Sequence, residues 1–268
     1  MIPLSNLLFI ALSTTTTTIT MSNSSSSENL NDDLSKRVVM RTSEMEWVKS
    51  GPSATVERKR CFRAGGQESG SVTSVVRYLP GAVFPMHPHP EGEEIFVLEG
   101  TFSDTRGDHG PGVFLLNPEG FEHAPSSTEG NLLLVRLRQY PNAVEGTIRS
   151  QMALDTNSVS WVDTDVPGIQ EKCLYPLDDT QEQVYPERQW LEKWTRHTQI
   201  PPQTVGQHGL EIFVVDGSFT DTEGSYQKGD WLRLPHGYIL DASSTTDGCT
   251  LLCKSGGFMF AIPSDDTK

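Results

Sequence analysis

The sequence predicts an all-β protein that contains two consecutive copies of one small fold. Short runs rich in β-branched residues alternate with Gly, Pro, Asp and Asn along most of the 268 residues, and long helical periodicity is absent. Residues 94–105 read EIFVLEGTFSDT and residues 211–222 read EIFVVDGSFTDT. Self-similarity of this length indicates that a folding unit has been duplicated. The strand pattern by itself fits a sandwich, a jelly roll or a small barrel.

The predicted strands of the first copy follow one another at short intervals. After an entry segment at Trp47, we expect strands at residues 54–62, 71–79, 94–98, 100–104, 112–116 and 131–137. The repeat then continues at a constant offset of 117 residues, which pairs Gly100 with Gly217 and Pro118 with Pro235. We therefore expect a leader at residues 1–40, a first domain at 41–150 and a second domain at 151–268.

Residues 1–40 are predicted to be a disordered leader. No charged residue precedes Glu28, and a short apolar patch is followed by a Thr run and a Ser run that cannot build a core. A secretory signal would begin with positive charge and have a longer apolar stretch, and a mitochondrial presequence would contain arginines. The expected location is the cytoplasm, with an organellar or secretory signal left open, and Met21 is a second candidate start.

The composition restricts the class of partner. The formal net charge of −14 at pH 7 argues against nucleic acid and anionic membrane surfaces, because both would repel the chain. No run approaches the roughly 18 apolar residues that span a bilayer. We expect a small-molecule substrate or ligand and leave a homodimer open. The four cysteines lack CxxC spacing and are predicted to be reduced core residues: Cys61, Cys173, Cys249 and Cys253.

Four potential metal ligands stand at regular offsets between turn residues of the first copy. His87 and His89 lie on the same side of an extended chain, Glu93 follows a turn at residues 90–92, and His123 lies on a later strand. Three imidazoles and one carboxylate form a borderline N/O set that suits several divalent metals. The sequence predicts one divalent ion here, with Fe(II) or Zn(II) preferred and Ni or Mn as alternatives.

The spacing of these residues resembles the two signature motifs of the cupin superfamily. The first motif runs from Gly81 to Gly100 and the second from Gly112 to His123, and Ser127 stands where the pattern usually has Asn. The run HPHPEGEEIFVLEGTFSD at residues 87–104 is similar to the ChrR-type cupin, the metal-binding module of a bacterial anti-sigma factor and of related stand-alone proteins.

This resemblance implies a fold of two tandem cupin barrels, each a double-stranded β-helix or jelly roll. It also implies that His87, His89, Glu93 and His123 are the metal ligands. The sigma-binding function does not carry over, because the anti-sigma proteins have an N-terminal helical zinc domain. Here neither Cys nor His precedes Cys61.

The second copy lacks this ligand set. The positions equivalent to the four ligands hold Thr204, Gly206, Leu210 and Leu240. A two-residue gap would lay His208 over His89, and His236 occupies the position of Glu119, but two candidates without a third hold a divalent metal poorly. We expect a degenerate second barrel without metal, kept for packing, dimerisation or an apolar pocket. Leucines at ligand positions suit a collapsed apolar interior.

Neighbours of the ligands are expected to have structural roles. Glu94 faces away from Glu93 in a strand and recurs as Glu211, so a structural role is predicted. Asp104 is predicted to form a turn, and His109 is expected in an exposed loop without a role. The aromatic and Met residues expected in the core or along the site are Phe84, Met86, Phe96, Phe114 and Phe121, and packing is expected for Trp190 and Trp194.

Two functions follow from the ligand set. The first is a cupin-type dioxygenase, an oxidoreductase acting on a small organic substrate. The second is a non-catalytic, zinc-binding ChrR-like module for sensing or ligand binding. The same ligands serve both functions, so the sequence assigns no catalytic residue.

Overall fold

The computed structural model describes residues 29–49, 54–65, 70–138, 149–177 and 187–257. These residues form β-strands and two 3-10 helices, Thr42–Glu44 and Thr156–Ser158, and none of them is in an α-helix. None of the helices within the described ranges is long and apolar enough to cross a membrane. The nearly all-β fold predicted from the alternating strand and turn signals is confirmed.

The strands of the two halves follow the same order along the chain. In the first half they are β1 (Val38–Arg41), β2 (Val48–Lys49), β3 (Val56–Ala64), β4 (Ser71–Tyr78), β5 (Ala82–Val83), β6 (His87–His89), β7 (Glu93–Gly100), β8 (Phe102–Asp104), β9 (Gly107–His109), β10 (Val113–Asn117), β11 (Phe121–His123), β12 (Ser126–Ser127) and β13 (Asn131–Leu137). In the second half they are β14 (Met152–Asp155), β15 (Val162–Asp163), β16 (Ile169–Tyr175), β17 (Glu187–Trp194), β18 (Gln203–Thr204), β19 (Leu210–Asp221), β20 (Gly224–Gln227), β21 (Asp230–Leu234), β22 (Ile239–Leu240) and β23 (Ala242–Gly256).

Each half forms a barrel from one large antiparallel sheet and smaller ones. The first large sheet has the order β14-β10-β7-β13-β4-β3-β2, and its smaller partners are β5-β12-β8-β9 and β11-β6. The second has the order β1-β21-β19-β23-β17-β16-β15, with β20 on β19, and its smaller partner is β18-β22. Inside the first barrel, Ile95 and Leu133 of the large sheet share a buried cluster with Phe102 of a smaller one.

The two halves exchange their first strands. Strand β1 pairs with β21 of the second barrel, and β14 pairs with β10 of the first. Arg41 reinforces the first exchange, because its Nη1 lies 2.7 Å from Asp230 Oδ2. The prediction of a disordered leader at residues 1–40 is therefore wrong for residues 29–40, which belong to the fold. The physical reason is the apolar run at residues 38–40, which completes a sheet edge of the other barrel.

The barrels meet at a buried apolar interface that joins their large sheets. Phe96 and Phe114 of the first barrel lie in one cluster with Phe213, Trp231 and Leu252 of the second. Because side chains alternate along a strand, one face of each large sheet lines its own barrel and the other face packs against the neighbouring barrel. The two barrels therefore share this core.

Buried ion pairs cross the same interface. Lys254 Nζ lies 2.6 and 2.7 Å from the two carboxylate oxygens of Glu94, and Arg136 Nε lies 2.7 Å from Glu211 Oε1. All four side chains are at most 2% exposed. Burial raises the pKa of Glu94, but Lys254, Arg149 and Arg136 lower it overall, so the carboxylate is ionised. Glu94 thus pairs with charges of the interface, which is a structural role.

Gly100 and Gly217 occupy equivalent close backbone contacts in the two barrels. Both have positive φ, +72° and +70°, and a Cβ on either would lie 2.1 Å from the carbonyl oxygen of Gly130 or Gly248. No L side chain fits such a contact without moving the backbone. The recurrence of glycine at these positions follows from this steric limit.

We expect Gly217→Ala to destabilise the protein by more than about 3 kcal/mol, because it adds a steric clash to backbone strain. The matched control is Gly237→Ala, where φ is also positive at +77° but no atom lies within 4 Å of the added Cβ. That variant should lose only about 1 kcal/mol. Urea denaturation measures both free energies of unfolding, and equal losses would contradict the steric argument.

Lys254→Met is predicted to cost about 3–5 kcal/mol of unfolding free energy, since it leaves buried carboxylates without their cation. Lys228→Met is the control, because Lys228 pairs with Glu99 across the same two halves, but both side chains are 58% exposed. This control should change stability by less than about 1 kcal/mol. Adding Glu94→Gln to Lys254→Met should recover part of the loss in thermal or urea unfolding. If the double variant loses as much unfolding free energy as the two single variants together, the two groups are not coupled.

Candidate metal centre

Two short paired strands bring the three histidines together. Strands β6 and β11 are antiparallel, with His87 opposite His123. A tight turn follows β6, in which the Gly92 N–H donates to the His89 carbonyl at 3.1 Å, and Glu93 then begins β7. Ligand nitrogens of the three imidazoles all lie within 4.8 Å of one another, so this cluster could hold a metal ion.

The fourth predicted residue lies beside the histidines. Oε2 of Glu93 is 3.5 Å from Nε2 of His89 and 3.5 Å from Nε2 of His123, and these two nitrogens are 3.0 Å apart. The Asn117 side-chain amide donates to the same oxygen at 2.9 Å. His89, Glu93 and His123 are buried, whereas His87 is partly exposed. The structure thus brings all four predicted residues into one cluster.

The protonation states leave nitrogen lone pairs available for a metal. Nδ1 of His87 is 2.8 Å from the Pro85 carbonyl, which can only accept, so Nδ1 carries the proton and Nε2 keeps its lone pair. Burial lowers the pKa of His89 to about 4 and also lowers that of His87, so both imidazoles are neutral at pH 7. Burial raises the pKa of Glu93, but the surrounding imidazoles and the Asn117 amide lower it overall. Glu93 is therefore an anion.

Asp104 lies behind His123, although the sequence predicted only that Asp104 forms a turn. It forms that turn, since its Oδ1 accepts the Arg106 backbone N–H at 2.8 Å, and its Oδ2 lies 3.7 Å from His123 Nδ1. Burial raises the pKa of Asp104, but His123 and Arg106 lower it overall, so the carboxylate is ionised. A carboxylate behind a ligating histidine orients the ring and increases its basicity.

His109 is not in an exposed loop, and that prediction is wrong. It is 7% exposed, and its Nε2 lies 3.2 Å from Asp104 Oδ1. The reason is that β9 folds back on β8, which places His109 opposite Phe102. The second barrel repeats this contact, because Tyr226 at the position equivalent to His109 donates its hydroxyl proton to Asp221 Oδ1 at 2.7 Å.

Aromatic side chains form part of the wall around the histidines. The ring centroid of Phe84 is 4.8 Å from that of His87, and Phe121 and Phe102 are 5.4 and 6.1 Å from His123. Met86 is 59% exposed. Phe96 and Phe114 are absent from this wall, contrary to one expectation, because strand alternation turns them toward the other barrel.

The donor set fits a divalent metal of borderline character. Imidazole nitrogens and a buried carboxylate oxygen converge, and the ionised Glu93 gives the cluster negative charge. This combination suits zinc, iron, nickel or manganese better than the all-oxygen sites that calcium and magnesium prefer. Within the described part of the chain, these histidines are the only group of three or more potential ligands close enough to share an ion.

The second barrel has a different interior. Leu210 and Leu240 occupy the positions of Glu93 and His123, where the sequence left either a collapsed apolar interior or an apolar pocket open. In the structure, both leucines line a cavity of about 360 Å³. The two indoles at Trp190 and Trp194 hold its wall in place by donating to the Glu192 carboxylate.

Comparison with known families identifies both halves as copies of one domain. The family model described as the ChrR Cupin-like domain matches residues 35–141 and 149–259. A search of curated proteins gives no match.

Solved structures show the same fold at low sequence identity. A proposed dioxygenase from Nostoc punctiforme is 16% identical with a TM-score of 0.67, covering 86% of this chain and 85% of that one. The bacterial pirin YhhW from Escherichia coli, in complex with nickel(II), is 18% identical with a TM-score of 0.60, covering 82% and 99%. Vicilin from hazelnut, Corylus avellana, is 11% identical with a TM-score of 0.56, covering 82% and 85%. At these identities the likeness shows the fold alone.

We expect Asp104→Asn to weaken metal binding by about 10–100-fold, because the ring of His123 loses its charged neighbour. Competition titration with Co(II), followed by its visible spectrum, measures the affinity. Asp221→Asn is the matched control, since Asp221 forms the equivalent turn in the second barrel, and it should leave Co(II) affinity unchanged. Equal weakening by both variants would mean that the effect comes from turn stability.

Proposed function

Because this chain belongs to the ChrR cupin-like family, we propose that its first barrel binds one divalent metal ion and catalyses a dioxygenase-type oxidation of a small organic substrate. The proposed ligands are His87, His89, Glu93 and His123, and the proposed catalytic domain spans residues 41–150. The observation that carries the proposal is the ligand cluster itself, in which three buried side chains meet one partly exposed histidine.

The surroundings of the cluster support a catalytic use over a purely structural one. A structural zinc site is closed, whereas His87 is partly exposed and has the ring of Phe84 beside it. Apolar rings next to an accessible ligand favour an organic molecule and exclude water around it. A bound iron, nickel or manganese ion would supply Lewis acidity and a route for electrons to O₂.

The protein residues would position the substrate and hold protons. Glu93 is ionised, and Asn117 holds its Oε2 between His89 and His123. A substrate with an acidic C–H or O–H would find a carboxylate base there. The proton of neutral His87 is held on Nδ1 by the Pro85 carbonyl. Nε2 therefore keeps its lone pair and has no proton to donate to a substrate.

The alternative function is a zinc-binding module for sensing or ligand binding without catalysis. The donor set supports this candidate as well, because zinc accepts imidazole nitrogens together with a carboxylate oxygen. The two functions differ in the metal they need. Zinc has no redox chemistry, whereas a dioxygenase depends on a redox-active ion or on one that activates its substrate toward O₂.

Elemental analysis of the purified protein from Met21 onward tests the proposal. We expect about one iron, nickel or manganese per chain, lost in His123→Ala and retained in His236→Ala, where an exposed histidine of the second barrel is removed. Oxygen uptake with a panel of enolisable small molecules then measures turnover, and His123→Ala should abolish it.

Other outcomes decide against the proposal. Stoichiometric zinc that persists after expression in iron-, nickel- and manganese-supplemented media, together with no oxygen uptake, would favour the sensing module. No metal in the wild type after growth in each medium would remove the metal site from both candidate functions.

A further inference from the structure

The cavity of the second barrel has the dimensions of a small-molecule site. Its volume of about 360 Å³ equals that of about twelve water molecules and falls within the usual range of ligand pockets. Val205, Leu210 and Leu240 form part of its apolar wall. The two leucines stand at the positions equivalent to Glu93 and His123, so the cavity lies where the first barrel has its histidine cluster.

One acidic side chain in the cavity wall is held in a fixed orientation. Strand β17 turns Trp190, Glu192 and Trp194 into the cavity by strand alternation. Nε1 of Trp190 donates to Glu192 Oε1 at 2.7 Å, and Nε1 of Trp194 donates to Glu192 Oε2 at 2.8 Å. A carboxylate has about four acceptor sites, so two remain for a ligand. Glu192 is thereby preorganised without losing its capacity to bind.

The charges around the cavity favour a cation. Three charged side chains line it among the described residues, and two of them cancel, because Arg188 Nη2 lies 2.7 Å from Glu171 Oε1. Within the same ranges no Lys or Arg forms an ion pair with Glu192. The aromatic faces of the wall also attract cations, as the Arg188 guanidinium over the Trp190 ring shows. The net charge of −14 also attracts cations to the protein at long range.

We propose that the second barrel binds a small organic cation, with its ammonium group against Glu192 and its apolar body against Val205, Leu210 and Leu240. This site lies in the other barrel from the histidine cluster and does not depend on the function proposed for that cluster. The chain would then have two small-molecule sites, one in each barrel.

Isothermal titration calorimetry of the full chain at pH 7 tests this with three probes of similar size: 4-phenylbutylammonium, 4-phenylbutanol and 4-phenylbutanoate. We expect the ammonium to bind at least about tenfold more tightly than the carboxylate, with the alcohol between them. Glu192→Gln should weaken ammonium binding by about tenfold and leave the alcohol within about twofold. Asp247→Asn removes an exposed charge from the same barrel and should change none of the three.

Two further variants separate the cavity from folding defects and from the metal cluster. Leu240→Trp should abolish binding of all three probes by filling the cavity, with native circular dichroism as the check on folding. His123→Ala should leave ammonium binding unchanged, because the proposed site lies in the other barrel. A loss of affinity in this variant would mean that the amine binds at the histidine cluster. Carboxylate binding as tight as ammonium binding, unchanged affinity in Glu192→Gln, or no measurable binding of any probe would overturn the proposal.

Discussion

Two consecutive glutamates on strand β7 connect the histidine cluster to the barrel interface. Glu93 faces the barrel interior and contacts His89 and His123, whereas Glu94 faces the second barrel and pairs with Lys254. A slip of one residue in the register of β7 would exchange their faces and leave both buried carboxylates without partners. The same strand register therefore holds the histidine cluster in a fixed position relative to the second barrel.

The two barrels retain one framework and differ in what lines their interiors. The same glycine contacts recur at Gly100 and Gly217, and the same turn-forming carboxylate recurs at Asp104 and Asp221. These positions are governed by backbone geometry, which tolerates little change. The side chains that line the two interiors differ at equivalent positions, since Leu210 stands in the cavity wall where the first barrel has Glu93 beside the histidines. Duplication thus allows one interior to change while the framework persists.

The exchange of first strands joins the two halves through both large sheets. Each large sheet takes an edge strand from the other half, β1 or β14, and the barrels share a buried apolar cluster. Separating the halves would expose both sheet edges and this cluster to water. The buried ion pairs at Glu94 and Glu211 add directional contacts that restrict how the apolar faces meet.

The sequence by itself determined the all-β class, the duplication and the spacing of the four residues that gather at the histidine cluster. These features depend on local periodicity, turn chemistry and fixed offsets, which are readable along one chain. Only the tertiary structure showed that residues 38–41 complete the other barrel, that His109 and Asp104 lie behind His123, and that the second interior contains a cavity. Those features depend on which strands become neighbours and on how side chains from distant segments fill space, and neither follows from local sequence.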